Sequence, residues 1–89
     1  MIEEALTIIN KHGLHARPAA QFVKIAGKFK SDIKVLKDGL EVNGKSIMGV
    51  MMLAASKGTN LILRAEGNDC KEALDALEEV ISNGFGEEI

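Results

Sequence analysis

The sequence contains no tryptophan and no tyrosine, and only three of its residues are phenylalanine. It therefore offers few of the aromatic side chains on which the bases of single-stranded nucleic acids stack. The charge balance leads to the same conclusion, because 11 basic and 13 acidic residues leave a formal net charge of −2. A domain that binds nucleic acid through its overall charge is strongly basic. We therefore expect no nucleic acid among the partners.

Cysteine and long apolar runs are also scarce. Cys70 is the only cysteine, which excludes a disulfide bond within the chain. No apolar run approaches the ~20 residues that a membrane-spanning helix needs. Glu3 and Glu4 stand where a signal peptide would carry basic residues, and no apolar core region follows them. The sequence predicts a soluble, cytoplasmic protein without membrane insertion.

The length limits what the chain can build. With 89 residues it predicts a single domain, residues 1–89. A domain of this size buries only roughly 60% of the surface of its unfolded chain, so it does not enclose a large substrate cavity. We expect a monomer that presents its chemistry on the surface to a larger partner, and we expect no cofactor.

Alternation of apolar and polar residues predicts four strands. The first lies within residues 1–9 and the fourth within residues 59–67. The second and third lie on either side of Asp38-Gly39, a dipeptide typical of a tight β-hairpin. Ile2, Leu6 and Ile8 share one face of the first strand, and Leu61, Leu63 and Ala65 share one face of the fourth. Ile33 and Val35 alternate with Lys34, Leu36 and Lys37 in the second.

Two helices are predicted before the fourth strand. The first begins just after His15 and continues to Lys28. Pro18 lies in its first turn, where the N–H group that proline lacks has no internal acceptor. The second is a short helix that begins after Ser46, a good N-cap, and ends before Gly58.

The third helix has the most regular apolar spacing. Asp69 and Glu72 resemble a capping box at its start, and Gly84 suits its end. We expect the remaining tail, residues 85–89, to be frayed. The element order β-α-β-β-α-β-α predicts an α/β two-layer, open-faced sandwich, with a four-stranded, mainly antiparallel sheet and three helices on one face.

Residues 12–20, HGLHARPAA, contain both histidines of the chain and lie at the start of the first helix. The first N–H groups of a helix lack internal acceptors and carry partial positive charge, so phosphate binds there. An imidazole at His15 would hold a phosphoryl group against the backbone N–H groups of Ala16 and Arg17. The Arg17 guanidinium would pair with phosphate oxygens. The helix field disfavours imidazolium and so favours a neutral, nucleophilic ring, and Gly13 leaves the approach open.

The same residues allow two other interpretations. In the first, His15 only caps the helix and Arg17 is a solvated surface charge. In the second, His12 and His15 bind a metal ion, but no Cys, Asp or Glu nearby completes the ligands. The residues alone leave the first interpretation open and disfavour the second, so we predict no metal site.

Two segments, GLHARPAAQFVK and GKSIMGVMMLAASKGTNLILRAEG, closely resemble HPr, the histidine-containing phosphocarrier of the phosphoenolpyruvate-dependent sugar phosphotransferase system. The resemblance runs in matching order from about Leu6 to Gly86. It implies that His15 accepts a phosphoryl group, through Nδ1, from phospho-enzyme I and passes it to enzyme IIA domains. Arg17 would be the phosphate-binding partner. The chain would then be a phosphoryl carrier and not an enzyme.

Residues 39–46, GLEVNGKS, fit the G-x-x-x-x-G-K-S pattern of nucleotide-binding loops. The residues between the glycines are typical of a strand, and the chain is too short for a nucleotide-binding α/β domain. On the residues alone, Ser46 is a helix N-cap. The resemblance adds that Ser46 is a target of HPr kinase/phosphorylase. Its phosphate would add about −2 charge, which would repel enzyme I or create a site for a catabolite-control regulator.

Apolar residues after Ser46 indicate where partners dock. Helical spacing requires at least two of Ile47, Met48, Met51 and Met52 to face the core, and the others would be exposed. Methionine adapts its shape to several partners. The predicted docking surface consists of Leu14, Ala20, Lys24, Ile47, Met48 and Met51. Phe22 belongs either to this surface or to the core.

Other functions remain open beside the phosphocarrier. The resemblance also covers a nitrogen-related HPr paralogue and a regulatory adaptor that acts mainly through phosphorylated Ser46. Paralogues that only regulate lack the active histidine, so His15 favours the carrier. A small ligand-binding or RNA-binding sandwich is disfavoured by the charge and the missing aromatics. Lys11 and His12 lie next to this site without an assigned role, and the family usually has a small polar residue in place of His12.

Overall fold

The fold is a four-stranded antiparallel sheet with three helices packed on one of its faces. A computed structural model describes all residues, 1–89. The strands are β1 (Ile2–Thr7), β2 (Asp32–Lys37), β3 (Leu40–Asn43) and β4 (Asn60–Glu66), and the helices are α1 (Ala16–Ala26), α2 (Ile47–Met52) and α3 (Cys70–Ser82). The order β-α-β-β-α-β-α and the open-faced sandwich predicted from the sequence are confirmed.

The sheet has the strand order β1-β4-β2-β3, and every neighbouring pair is antiparallel. β4 is central and pairs with β1 and β2, so that Leu63 lies between Glu4 and Val35. Asp38 and Gly39 connect β2 to β3 with φ angles of 49° and 84°. Positive φ at both turn residues matches the right-handed twist of the paired strands, which explains the Asp-Gly dipeptide.

The core lies between the inner face of the sheet and the three helices. Its 19 buried hydrophobic residues are Ile8, Leu14, Ala19, Phe22, Ala26, Ile33, Val35, Val42, Val50, Leu53, Ala55, Leu61, Leu63, Ala65, Ala73, Leu74, Leu77, Ile81 and Phe85. Phe22 is therefore a core residue and not part of a docking surface. No helix has the length and apolar character needed to cross a membrane.

Helix α2 is shorter than predicted, because it ends at Met52 instead of continuing towards Gly58. Ala54 has a φ of 47°, which turns the backbone out of the helix. The carbonyl oxygen of the next residue, Ala55, then accepts a hydrogen bond from the N–H of Leu14 at 2.8 Å. The helix therefore ends where the chain meets the loop before α1.

The capping box predicted at the start of α3 is wrong. The Asp69 side chain makes no cap hydrogen bond. Its carboxylate instead accepts hydrogen bonds from the N–H groups of Lys30 and Ser31, each at 2.9 Å, and from the Ser31 hydroxyl. Because the hydroxyl and the two N–H groups favour the charged carboxylate, the pKa of Asp69 is lowered. Asp69 therefore fastens the start of α3 to the turn between α1 and β2.

Replacing Asp69 with asparagine is expected to weaken the dependence of stability on acid pH. The native pKa of Asp69 lies below its value in the unfolded chain, about 3.9. The stabilisation is therefore complete above that pH and is lost as the pH falls through the native pKa. Urea unfolding at a series of pH values from 2 to 7 should show a smaller acid loss for Asp69→Asn than for the wild type. Asp75→Asn, which removes an exposed partner of Lys71, is the matched control, and equal acid slopes for Asp69→Asn and wild type would contradict the prediction.

The tail predicted to be frayed is instead folded against the rest of the chain. Gly84, Phe85 and Gly86 form a left-handed turn with φ angles of 63°, 57° and 72°. The Phe85 side chain is inserted into the core and is only 3% exposed. Beyond the turn, the carbonyl oxygen of Glu88 accepts a hydrogen bond from the N–H of Lys11 at 2.7 Å. The tail thus lies on the loop that leads to His15.

Candidate functional site

The loop between β1 and α1 is held in place by a close backbone contact at Gly13. This residue has a φ of 68°, and a Cβ atom built on it would lie 2.3 Å from the carbonyl oxygen of Ala55. Only glycine fits this contact without a shift of the backbone. The sequence interpretation, in which Gly13 clears the approach to His15, gave a different reason for the glycine. The structure shows that it lets the loop pack against the segment after α2.

His15 is the N-cap residue of α1, as predicted. Its backbone is extended, and its carbonyl oxygen accepts a hydrogen bond from the N–H of Ala19 at 3.0 Å. The imidazole makes no cap hydrogen bond with the helix, and its side chain is 42% exposed. The N–H groups of Ala16 and Arg17 belong to the first turn, where a helix provides no acceptor for them. The ring is therefore an exposed group beside the positive end of a helix.

The imidazole contacts a residue that the sequence did not indicate. The Nε2 atom of His15 lies 3.0 Å from Oε1 of Glu87, 72 residues further along the chain. The same oxygen accepts a hydrogen bond from Nδ2 of Asn10 at 3.0 Å. The pKa of Glu87 is lowered, chiefly because His15 hydrogen-bonds to it, and the Asn10 amide and the charge of Arg17 act in the same direction against the effect of burial. Glu87 is therefore a charged carboxylate held against the imidazole.

Arg17 and His12 flank the imidazole on the surface. Both are exposed, and the Arg17 guanidinium makes no ion pair or side-chain hydrogen bond within the chain. The rings of His12 and His15 meet edge to face, with centroids 6.2 Å apart and an interplanar angle of 85°. No group of three or more His, Cys, Asp or Glu side chains is arranged to hold a metal ion.

Ser46 is the N-cap residue of α2, as predicted. Its Oγ accepts a hydrogen bond from the N–H of Gly49 at 3.0 Å, and its own N–H donates to the carbonyl oxygen of Asn43 at 3.1 Å. The side chain is half-buried. The hydroxyl thus satisfies one of the unpaired N–H groups at the start of a helix of six residues.

The sequence matches the model of a protein family described as "PTS HPr component phosphorylation site" over residues 2–83. A phosphocarrier protein HPr from Cupriavidus necator is 51% identical over 87 residues, which cover 98% of each chain. The chain belongs to the HPr family. The relatives that carry this name are phosphocarrier proteins and not enzymes, as predicted for this chain.

Solved structures of HPr-family proteins have the same fold. The crystal structure of HPr-C-His from Thermoanaerobacter tengcongensis is 54% identical, covers 100% of both chains and superposes with a TM-score of 0.96. A crystal structure of Crh, the catabolite repression containing protein of Bacillus subtilis, is 46% identical, covers 94% of this chain and 97% of its own, and has a TM-score of 0.76. That Crh structure is described as a dimer with a swapped domain. The monomer expected for this HPr-family chain therefore stays a prediction.

The docking surface predicted for this HPr-family chain needs two corrections. Leu14 is only 5% exposed and packs in the core, so its side chain is not available to a partner. The expectation that at least two of the four apolar residues after Ser46 face the core is also wrong. All four are exposed, and they are Ile47 at 44%, Met48 at 77%, Met51 at 40% and Met52 at 67%. Val50 is the buried residue of α2, and Leu53 just after it is also in the core.

The other residues predicted for docking are accessible. Ala20 and Lys24 are exposed on α1, which packs against α2. We define the methionine patch as Ile47, Met48, Met51 and Met52. Exposed apolar patches of this kind mark surfaces that bind other proteins. Met52 belongs to this patch although the sequence did not assign it a role.

No cavity encloses the histidine site of this HPr-family chain. A groove of about 570 Å³ lies between α1 and α3 and is lined by Gln21, Ile25, Lys28, Phe29, Ala76, Glu79, Val80, Asn83, Phe85 and Gly86. Neither His15 nor Arg17 contributes to it, and Ser46 lies outside it too. The imidazole is therefore presented on an open surface, where a partner protein must supply the remainder of any enclosed site.

Proposed function

We propose that this HPr-family chain accepts a phosphoryl group on Nδ1 of His15 from phospho-enzyme I and passes it to enzyme IIA domains. The observation that carries the proposal is the position of the imidazole, which is 42% exposed at the N-terminus of α1. A partner can reach the ring, and the first N–H groups of the helix favour an anion beside it. The family assignment supports the same function.

The chemistry follows from the groups around the ring. A lone pair on the imidazole forms the nitrogen–phosphorus bond while the bond from phosphorus to the donor breaks. The N–H groups of Ala16 and Arg17 carry partial positive charge that favours the phosphoryl oxygens. The guanidinium of Arg17 is free of intramolecular ion pairs and suits the same oxygens. An open site fits a carrier, because two different proteins must reach the same nitrogen in turn.

Incubation with enzyme I and phosphoenolpyruvate tests this proposal. The chain should acquire a phosphate that is labile in acid and stable in base, as phosphohistidine is. Addition of an enzyme IIA domain should then move the label to that domain. Absence of labelling, or a phosphate that resists acid, would contradict the carrier function.

We further propose that phosphorylation of Ser46 by HPr kinase/phosphorylase regulates this carrier. The Ser46 hydroxyl lies at the N-terminus of α2, where added negative charge is tolerated by the helix. It also directly precedes the exposed methionine patch, so the phosphate would place charge beside an apolar docking surface. The expected result is weaker docking of enzyme I and a new surface for a catabolite-control regulator.

Treatment with HPr kinase/phosphorylase and ATP is expected to add an acid-stable phosphate to the wild type and none to Ser46→Ala. The phosphorylated protein should accept a phosphoryl group from enzyme I about tenfold more slowly or worse, because about −2 charge then adjoins the docking surface. Ser56→Ala, which removes an exposed serine after α2, is the matched control. Labelling that survives in Ser46→Ala would place the modification elsewhere.

The alternatives differ in which residue carries the function. The similarity to Crh makes a regulatory adaptor the second candidate, and such an adaptor would act through Ser46 without transfer at His15. The nitrogen-related paralogue would use the same histidine with different acceptors. The exposed His15 beside Arg17 favours the carrier over the adaptor. We also propose that the carrier works as a monomer in the cytoplasm, as the resemblance to HPr implies.

A further inference from the structure

The C-terminal tail places the carboxylate of Glu87 in contact with the imidazole of His15. Oε1 of Glu87 lies 3.0 Å from Nε2 of His15. The Glu87 side chain is 16% exposed, whereas that of His15 is 42% exposed. The carboxylate is therefore the more buried of the two groups, and the imidazole stays partly accessible to solvent.

Glu87 is itself fixed by a buried amide. Asn10 is fully buried, and its Nδ2 donates to Oε1 of Glu87 at 3.0 Å and to the carbonyl oxygen of Gly13 at 2.8 Å. Both partners are acceptors, which identifies this atom as the amide nitrogen. The Oδ1 atom of Asn10 has no hydrogen-bond partner. The hydrogen bonds of this buried amide are thus made through its nitrogen alone, to Glu87 and to the loop at Gly13.

The backbone of the tail holds Glu87 in this position. Phe85 adopts a φ of 57°, which is unfavourable for a residue with a Cβ atom, and its ring is buried. Core packing of this ring therefore anchors the left-handed turn. On the other side of Glu87, the Glu88 carbonyl oxygen accepts a hydrogen bond from the N–H of Lys11 at 2.7 Å. The position of Glu87 is therefore fixed by contacts of the residues before and after it in the chain.

We propose that Glu87 is a positioning residue for phosphoryl transfer at His15, which holds the proton on Nε2 and leaves the Nδ1 lone pair for phosphorus. This inference rests on the proposed function. A carboxylate only accepts hydrogen bonds, so Nε2 must be the donor. A neutral imidazole carries one proton, and its other nitrogen then has the lone pair.

The same contact accounts for the charge that develops during transfer. The Nδ1 lone pair forms the bond to phosphorus, and the electron pair of the broken bond stays on the leaving atom of the donor. The proton remains on Nε2, so the ring becomes cationic when the new bond forms. The negative carboxylate of Glu87 stabilises that cation, in the way that a buried aspartate supports the histidine of a hydrolase triad. When the phosphoryl group leaves for an acceptor, the electron pair returns to Nδ1 and the neutral ring is restored.

Three variants separate the hydrogen bond from the charge. Glu87→Ala removes both, and Glu87→Gln keeps an oxygen that accepts from Nε2 but removes the charge. Glu88→Ala is the matched control, because this neighbouring carboxylate pairs only with the exposed Lys11 at 3.6 Å, and its backbone contact survives the substitution. Far-ultraviolet circular dichroism and urea unfolding check that each variant is folded.

The experiment combines ¹⁵N nuclear magnetic resonance of His15 at alkaline pH with the initial rate of phosphoryl uptake from phospho-enzyme I. The wild type and Glu88→Ala should show the Nε2–H tautomer and equal rates. Glu87→Ala should show a mixture of tautomers and a rate lower by about tenfold or more. Glu87→Gln should keep the Nε2–H tautomer and still lose rate, because the cationic ring has lost its partner.

The inference is overturned if Glu87→Ala keeps the wild-type tautomer, if its rate equals that of the wild type, or if Glu88→Ala loses as much rate. Failure of the proposed function has a different signature. In that case wild-type His15 takes up no phosphoryl group, while the tautomer measurement still reports on the contact between Glu87 and the ring.

Discussion

Substitution of His15 by alanine is expected to abolish acid-labile phosphorylation by enzyme I and phosphoenolpyruvate. The variant lacks the nitrogen that bonds to phosphorus, and loss of a nucleophile typically lowers a transfer rate by at least about 10³-fold. The effect should not come from unfolding. The imidazole is exposed and makes no cap hydrogen bond with α1. The substitution removes only its contact with Glu87, so the free energy of unfolding should fall by about 1 kcal/mol.

His12→Ala is the matched control for this experiment. His12 is also an exposed histidine, and its ring centroid lies 6.2 Å from that of His15. His12 precedes Gly13 and does not occupy the N-cap position, so it should not replace His15 as the phosphoryl acceptor. The His12→Ala variant should therefore still acquire the acid-labile phosphate. Urea unfolding of both variants checks the stability. Residual acid-labile label on His15→Ala, or its loss from His12→Ala, would move the chemistry to the other ring.

Substitution of Gly13 by alanine is expected to cause the largest loss of stability among single glycine replacements near the site. The new Cβ would lie 2.3 Å from the carbonyl oxygen of Ala55 and 2.8 Å from Cα of Ser56, and both are backbone atoms. The positive φ of 68° adds strain for any residue other than glycine. Together these should reduce the free energy of unfolding by about 3 kcal/mol or more, measured by urea denaturation.

Gly39→Ala separates the contact from the backbone strain. Gly39 also has a positive φ, 84°, but a Cβ there would have no neighbour within 4 Å. Gly39→Ala should lower the free energy of unfolding only by the backbone strain, about 1–2 kcal/mol. Gly13→Ala should also slow phosphoryl uptake, because the contact it disrupts positions the loop that ends at His15. Equal losses of stability in the two variants would show that the close approach to Ala55 contributes nothing.

The order of the elements was accessible from the sequence, because each element has a local cause. Alternation marks the strands, Asp38-Gly39 marks the hairpin, and Ser46 marks the start of α2. The N-terminal position of His15 on α1 was also local, since Pro18 and the small residues around it belong to the same turn. Local patterns therefore gave the architecture and the candidate phosphoryl acceptor.

Contacts between distant segments were not accessible in the same way. Glu87 lies 72 residues from His15, and the tail around it is short, polar and rich in glycine. Nothing local shows that Phe85 is buried and directs the following residues back over the loop. The carboxylate of Asp69 was predicted to cap α3, but the N–H groups of Lys30 and Ser31 compete for it from another part of the chain.

The extent to which α2 is buried was not accessible from the sequence, for a related reason. Periodicity identifies which residues share a face, but it does not say how much of that face the rest of the chain covers. Val50 and Leu53 fill the available space, so the methionine patch remains outside the core. Conversely, the side chain of Leu14 is buried in the core, in a loop whose N–H at Leu14 pairs with the carbonyl oxygen of Ala55 after α2.

The folded tail decides where a probe can be attached to this chain. A fluorescent dye or affinity tag joined at Ile89 would begin two residues after Glu87, whose carboxylate contacts the imidazole, and would obstruct visiting proteins. Met1 precedes β1, whose six residues span about 20 Å and lead towards the loop that carries His15. Labelling at Met1 therefore keeps the probe at the opposite end of the strand from the reactive ring.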